Sequence, residues 1–149
     1  MSNKTVVLIS PDPALSNITE RMLRESYNVL VFRTIQIAID YIYNSIPDLL
    51  IVDMNQNDLS SIELLNNLKT DPIFHQLPVI IIVPDNKPLP DWESVFAEDY
   101  IMNSSYEFEG LARANLAIVR SVRMSEINPL TRLPGNISIN RQIQTRLDQ

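Results

Sequence analysis

The chain has 149 residues, of which 45% are hydrophobic and 20% charged, with a net charge of −6 and no cysteine. That balance fits one globular domain of ordinary size with a short appendage, able to bury a core without disulfide or structural metal. The lack of cysteine excludes a disulfide framework and a thiolate metal site, and the acidity argues against nucleic acid, whose phosphates need clustered Lys and Arg.

In chain order, residues 5–10 read as a first strand; the apolar residues Val6 to Ile9 are too few for a signal-peptide core. Asp12 followed by Pro13 reads as a helix start, with aspartate as N-cap and proline in the first helical position. Leu15, Ile18 and Met22 then share one helical face. Residues 28–33 form a second strand and Ile35, Ala38, Ile39 and Ile42 a second helix. Residues 48–53 form a third strand, and Ile62, Leu65 and Leu68 mark a third helix. His75, the only histidine, falls between that helix and the fourth strand, where a catalytic or metal role is not expected. The fourth strand, residues 78–83, contains the longest aliphatic run, far too short to span a bilayer. Three prolines then precede a weak fourth helix near residues 92–97, where Trp92 and Phe96 are expected to pack onto the sheet. Residues 99–102 form a fifth strand. A long helix over 107–126 follows, marked by Leu111, Ala114, Ile118 and Val122.

The first, third and fourth strands are apolar at every interior position, as strands buried on both faces of a parallel sheet read. Strand–helix alternation with short connections gives an α/β fold: a three-layer α/β/α, doubly wound, parallel five-stranded sheet of order 2-1-3-4-5, flavodoxin-like. Its crevice lies at the carboxyl ends of the strands, at residues 10–13, 53–58, 83–85 and 103–105.

Residues 5–122 resemble the receiver domains of two-component response regulators. The match is carried by Pro47-Asp-Leu-Leu-Ile-Val-Asp53, by Ile62-Glu-Leu-Leu65, by Pro78-Val-Ile-Ile-Ile82 and by Ala97-Glu-Asp-Tyr100. The resemblance implies that Asp53 is the candidate phosphoacceptor, a carboxylate that would form an acyl phosphate. The positions expected to assist it are degenerate. Ser10 and Pro11 stand where two acids would hold Mg²⁺, Val83 where a Ser or Thr is usual, and Asn103 with Ser104 where Lys-Pro is usual. The loop after Asp53 carries Asn57, Asp58 and Ser61 in place of its usual Pro and Gly. Asp12 is a nearby acid that could replace a ligand, although the helix cap is the better reading. Asp85 is expected to form a turn or line the crevice, and Tyr106 to be the aromatic that reports the pocket's state. No resident metal or other cofactor is expected, Mg²⁺ binding weakly at most.

Near Ser125 the composition changes. Asn128-Pro-Leu-Thr-Arg-Leu-Pro-Gly-Asn136 resembles the opening signature of GGDEF domains, the diguanylate cyclase fold, with Leu130, Thr131 and Leu133 matching. The expected organisation is a receiver-like domain over residues 1–126 and, over 127–149, a linker with the opening of a GGDEF-like domain continued elsewhere. Three functions compete. One is a Mg²⁺-dependent phosphoacceptor using Asp53. Another is a pseudo-receiver acting by contact through the face of the fourth helix, fifth strand and fifth helix. The third, a flavodoxin-like cofactor binder, is rejected because Ser10-Pro-Asp-Pro13 removes the N–H donors that cradle phosphate. The resemblance implies a sensor histidine kinase, the chain's own output domain and a second copy of itself as partners. The expected location is the cytoplasm, with no nucleic-acid or membrane partner, and this chain is expected not to be an enzyme itself.

Overall fold

The computed structural model describes residues 4–54 and 59–127, without the side chains of 59–61 and 125–127. Asn57, Asp58, the side chain of Ser61 and the GGDEF-like signature from Asn128 onward therefore lie outside the described residues. The chain divides into two compact units, residues 1–118 and 119–149. Of the second, only the end of the last helix is described.

The elements are β1 (Thr5–Ile9), α1 (Pro13–Leu23), β2 (Asn28–Phe32), α2 (Ile35–Asn44), β3 (Leu49–Asp53), α3 (Leu59–Thr70), β4 (Val79–Val83), β5 (Asp99–Met102) and α4 (Tyr106–Ile127), with short 3₁₀ turns at Pro72–Phe74 and Asn103–Ser105. All five strands are parallel, in the order β2-β1-β3-β4-β5. The expected strand order is observed.

Alternate residues of each strand feed opposite layers, which is why β1, β3 and β4 tolerate no polar interior position. Val7, Ile9, Leu50, Val52, Val79 and Ile81 join Ile35, Ala38, Ile42, Leu65 and Leu68 on one face. Val6, Leu8, Leu49, Ile51, Ile80 and Ile82 join Leu15, Leu23, Ala114 and Ile118 on the other. Burying each of the Val, Leu and Ile side chains contributes about 2 kcal/mol.

The helices begin where the sequence places capping groups. Asp12, in extended conformation, accepts from the Ala14 amide with Pro13 in the first turn, and Thr34 accepts from Ile37. The buried centre of α1 is Leu15, Thr19 and Leu23, so Ile18 and Met22 flank the stripe rather than define it. Thr19 fits this apolar position because its hydroxyl bonds to the Leu15 carbonyl at 2.9 Å. In α4, Ala114 and Ile118 are buried while Val122 is exposed, so the core-facing stripe stops one turn before the expected end.

The expected fourth helix is absent: residues 84–98 form turns and extended chain from β4 to β5. Pro84, Pro88 and Pro90 each lack an N–H and disfavour helical backbone in the residue before them. Next, Asp91 closes a turn by accepting from Glu93 N and Ser94 Oγ. The connection is held from α3. The Asn66 amide donates to Ser94 O at 2.7 Å, and its oxygen accepts from Phe96 N at 3.0 Å. Buried Lys69 donates to Leu77 O and to Glu98, whose other oxygen accepts from Val79 N. Trp92 stacks on Tyr100 with ring centroids 5.0 Å apart, while Phe96 is exposed, so the aromatic pair differs from the expected one. The surface expected from the sequence as fourth helix, fifth strand and fifth helix accordingly reduces to β5 and α4. Among the described residues, no helix is long and apolar enough to cross a membrane.

Candidate functional site

The β1–β3 register pairs Ile9 with Val52, which places Ser10 beside Asp53 at the carboxyl ends of the two strands. Both are buried, at 2% and 8% exposure. Ser10 Oγ donates to Asp53 Oδ2 at 2.7 Å, and the same hydroxyl oxygen accepts from the Asp12 amide at 3.1 Å. Ser10 is also anchored by its backbone, whose N–H donates to Phe32 O at 2.9 Å. The hydroxyl's proton and one lone pair are therefore committed within the crevice. Asp12 points its carboxylate at Ala14 N, 3.0 Å away, and serves as the cap of α1.

The remaining predicted positions surround this pair. Val83 is buried as the last residue of β4, in register with Met102. Asn103 is exposed and opens the 3₁₀ turn after β5. Asp85 accepts from Ser104 N at 3.0 Å and from Ser104 Oγ at 2.7 Å, tying the end of β4 to the end of β5. Nothing local in the sequence announces that pair; only adjacent parallel strands bring the two residues together. A cleft of about 300 Å³ opens between the strand ends and the prolyl connection, lined by Met54, Val83, Pro84, Lys87, Pro88 and Val95 among others.

Tyr106 is not at the rim of the crevice. It is the first residue of α4, 2% exposed, with its hydroxyl 2.7 Å from Thr19 Oγ1. Because the Thr19 proton goes to Leu15 O, the phenol is the donor. Burial pushes the Tyr106 phenol up to about 12, and the negative charge of Asp53 adds to the shift. The aromatic on β5 is instead Tyr100, three residues before Asn103.

The donors needed for Mg²⁺ are a poor fit here. Mg²⁺ takes oxygen ligands in octahedral geometry, usually through one or two carboxylates plus water. Asp53 supplies one carboxylate, partly occupied by the Ser10 proton; Pro11 offers no side-chain donor and Asp12 caps α1. Among the described residues, no group of three His, Cys, Asp or Glu side chains could hold a metal.

The fold and the position of the crevice define the flavodoxin-like receiver class of α/β structure. No family model matches the chain, and no curated protein matches it. Solved receiver structures do. A response regulator receiver modulated diguanylate cyclase from Pelobacter carbinolicus is similar with a TM-score of 0.66 at 20% identity, covering 83% of this chain and 99% of that one. A response regulator receiver domain protein from Clostridium thermocellum gives 0.66 at 18% identity over 81% and 98%. The signal receiver domain of a histidine kinase from Syntrophus aciditrophicus gives 0.65 at 21% over 84% and 97%. At these identities the likeness carries the fold.

Proposed function

We propose that the chain is a signalling pseudo-receiver: a receiver fold whose phosphoryl-transfer pocket is degenerate and which acts by protein contact on a GGDEF-like output domain opening near residue 127. The observation that carries this reading is the buried Ser10–Asp53 hydrogen bond, formed where the resemblance calls for a metal-binding acid. Phosphoryl transfer needs positive charge around the transferred group. Ser10 and Pro11 bring no carboxylate to attract Mg²⁺, and Asn103 brings no cation. Each close unit-charge pair is worth about 4 kcal/mol at an effective dielectric of 20. Losing both leaves Asp53 a weak acceptor.

Contact is proposed through the β5–α4 side. There Arg113 donates to Tyr100 O at 2.9 Å and pairs with Asp99 and Glu109, giving an ordered polar surface. Proposed partners are the chain's own output domain, a second copy and a sensor histidine kinase. A rising mass with concentration in light scattering supports the second copy; a strict monomer in the presence of the output domain overturns it.

The competing reading is an ordinary phosphoacceptor, favoured by the retained Asp53 at the end of β3. Acetyl phosphate with Mg²⁺, followed by intact mass, separates the two. The pseudo-receiver gives little or no phosphoryl adduct. Rapid stoichiometric modification that is lost in Asp53→Asn restores the ordinary receiver.

A further inference from the structure

We propose that the buried Tyr106–Thr19 hydrogen bond, joined through α1 to the Ser10–Asp53 pair, couples the crevice to the packing of α4. The link does not depend on whether Asp53 carries a phosphoryl group. Any event that draws Asp53 away from Ser10, whether a modification, a cation or a partner's side chain, would act through it.

Each contact in the chain is in place. Ser10 Oγ holds Asp53 Oδ2 at 2.7 Å and also receives the Asp12 amide at 3.1 Å. Asp12 caps α1 through Ala14 N. Along that helix Thr19, fully buried, accepts the Tyr106 proton at 2.7 Å. Tyr106 is the opening residue of α4. Two helices of this fold thus meet at a buried polar pair, about two turns along α1 from the cap that is bonded to the crevice.

The helices also meet at a second contact. A Cβ built on Gly110, one turn along α4 from Tyr106, would lie 2.6 Å from Met22 Cε and 2.7 Å from Met22 Sδ on α1, and 3.3 Å from the Tyr106 ring. The end of the Met22 side chain thus occupies the space over Gly110, so α1 and α4 touch here as well as at Thr19 and Tyr106. A displacement of α1 would reach α4 through the Thr19 and Met22 contacts, since packed helices shift between arrangements as units.

Hydrogen exchange on the full 149-residue chain tests the coupling, with the crevice broken by Ser10→Ala and the helix contact by Tyr106→Phe. Ser10→Ala should speed exchange of the amides at 110–117 about fivefold in the unaltered background, but less than about twofold in Tyr106→Phe. Ser10→Thr, which keeps the hydroxyl, should restore slow exchange. The Tyr106 Cζ resonance gives a readout that a merely structural bond would not move: it should shift in Ser10→Ala and return in Ser10→Thr. Equal exchange effects in both backgrounds, no effect at 110–117, or an unmoved Tyr106 resonance would each overturn the proposal.

Discussion

The central strands and the β4–β5 connection are built on opposite principles. β1, β3 and β4 are held by burial on two faces, so their stability is spread over many apolar side chains of which no single one is decisive. The connection over residues 84–98 has one deeply buried anchor, Val95, and otherwise depends on hydrogen bonds from Asn66 and on the Lys69–Glu98 group. A receiver fold can thus omit a helix if the preceding helix supplies side chains to satisfy the backbone left behind. The contrast also separates what should fail globally from what should fail locally.

The largest effect should come from the strands. Ile81→Ala, at a fully buried position, should lower global stability by about 3–4 kcal/mol, read as a shifted denaturant midpoint with an unchanged slope. A loss confined to one segment would contradict the distributed core. Next is Tyr106. Its phenol is raised from 10.0 to about 12, so the folded state favours the protonated form. That stabilisation is complete below pH 10 and is lost as pH climbs towards 12, by about 3 kcal/mol in all. Tyr106→Phe should flatten this part of the alkaline stability profile, and an unchanged profile would refute it.

Asn66→Ala should have a smaller and local effect. It removes two hydrogen bonds at exposed backbone and should cost about 1 kcal/mol. Limited proteolysis should then cut within 84–98 while the denaturant midpoint barely moves; equal protection in variant and parent would sink the local account. The smallest effect is at Gly110. Alanine there gains helix propensity of about 1 kcal/mol but pushes the flexible end of Met22, so Gly110→Ala should be near neutral. In a Met22→Ala background the obstruction is gone and the same change should stabilise; destabilisation there would show that backbone, not Met22, sets the spacing.

These regions also differ in how far they can be read from sequence. Uninterrupted β-branched runs mark the buried strands and their order, and strand ends in a parallel sheet mark the crevice positions of Ser10, Asp53, Val83 and Asn103. Asp12-Pro13 announces its cap because capping is local chemistry. The connection after β4 reads wrongly as a helix because Trp92 and Phe96 look like an apolar helical face, while three prolines weigh against one. The Asn66 clamp, the Lys69–Glu98 pair and the Asp85–Ser104 bridge leave no pattern, since each joins residues 19 or more apart that only the sheet brings together. Tyr106 is expected at the pocket, whereas β5 carries Tyr100 and Tyr106 lies under α1; a position just past the strand turns with the helix and not with the pleat.

The degenerate pocket is the claim on which the functional reading rests, and Mg²⁺ titration by calorimetry tests it most directly. The unaltered chain should show no saturable binding at millimolar Mg²⁺, because Asp53 is bonded to Ser10 and stands without the acid pair. The double change Ser10→Asp, Pro11→Asp should create measurable affinity, at least about tenfold tighter, through the added carboxylates. Saturable sub-millimolar binding by the unaltered chain, lost in Asp53→Asn, would contradict the account.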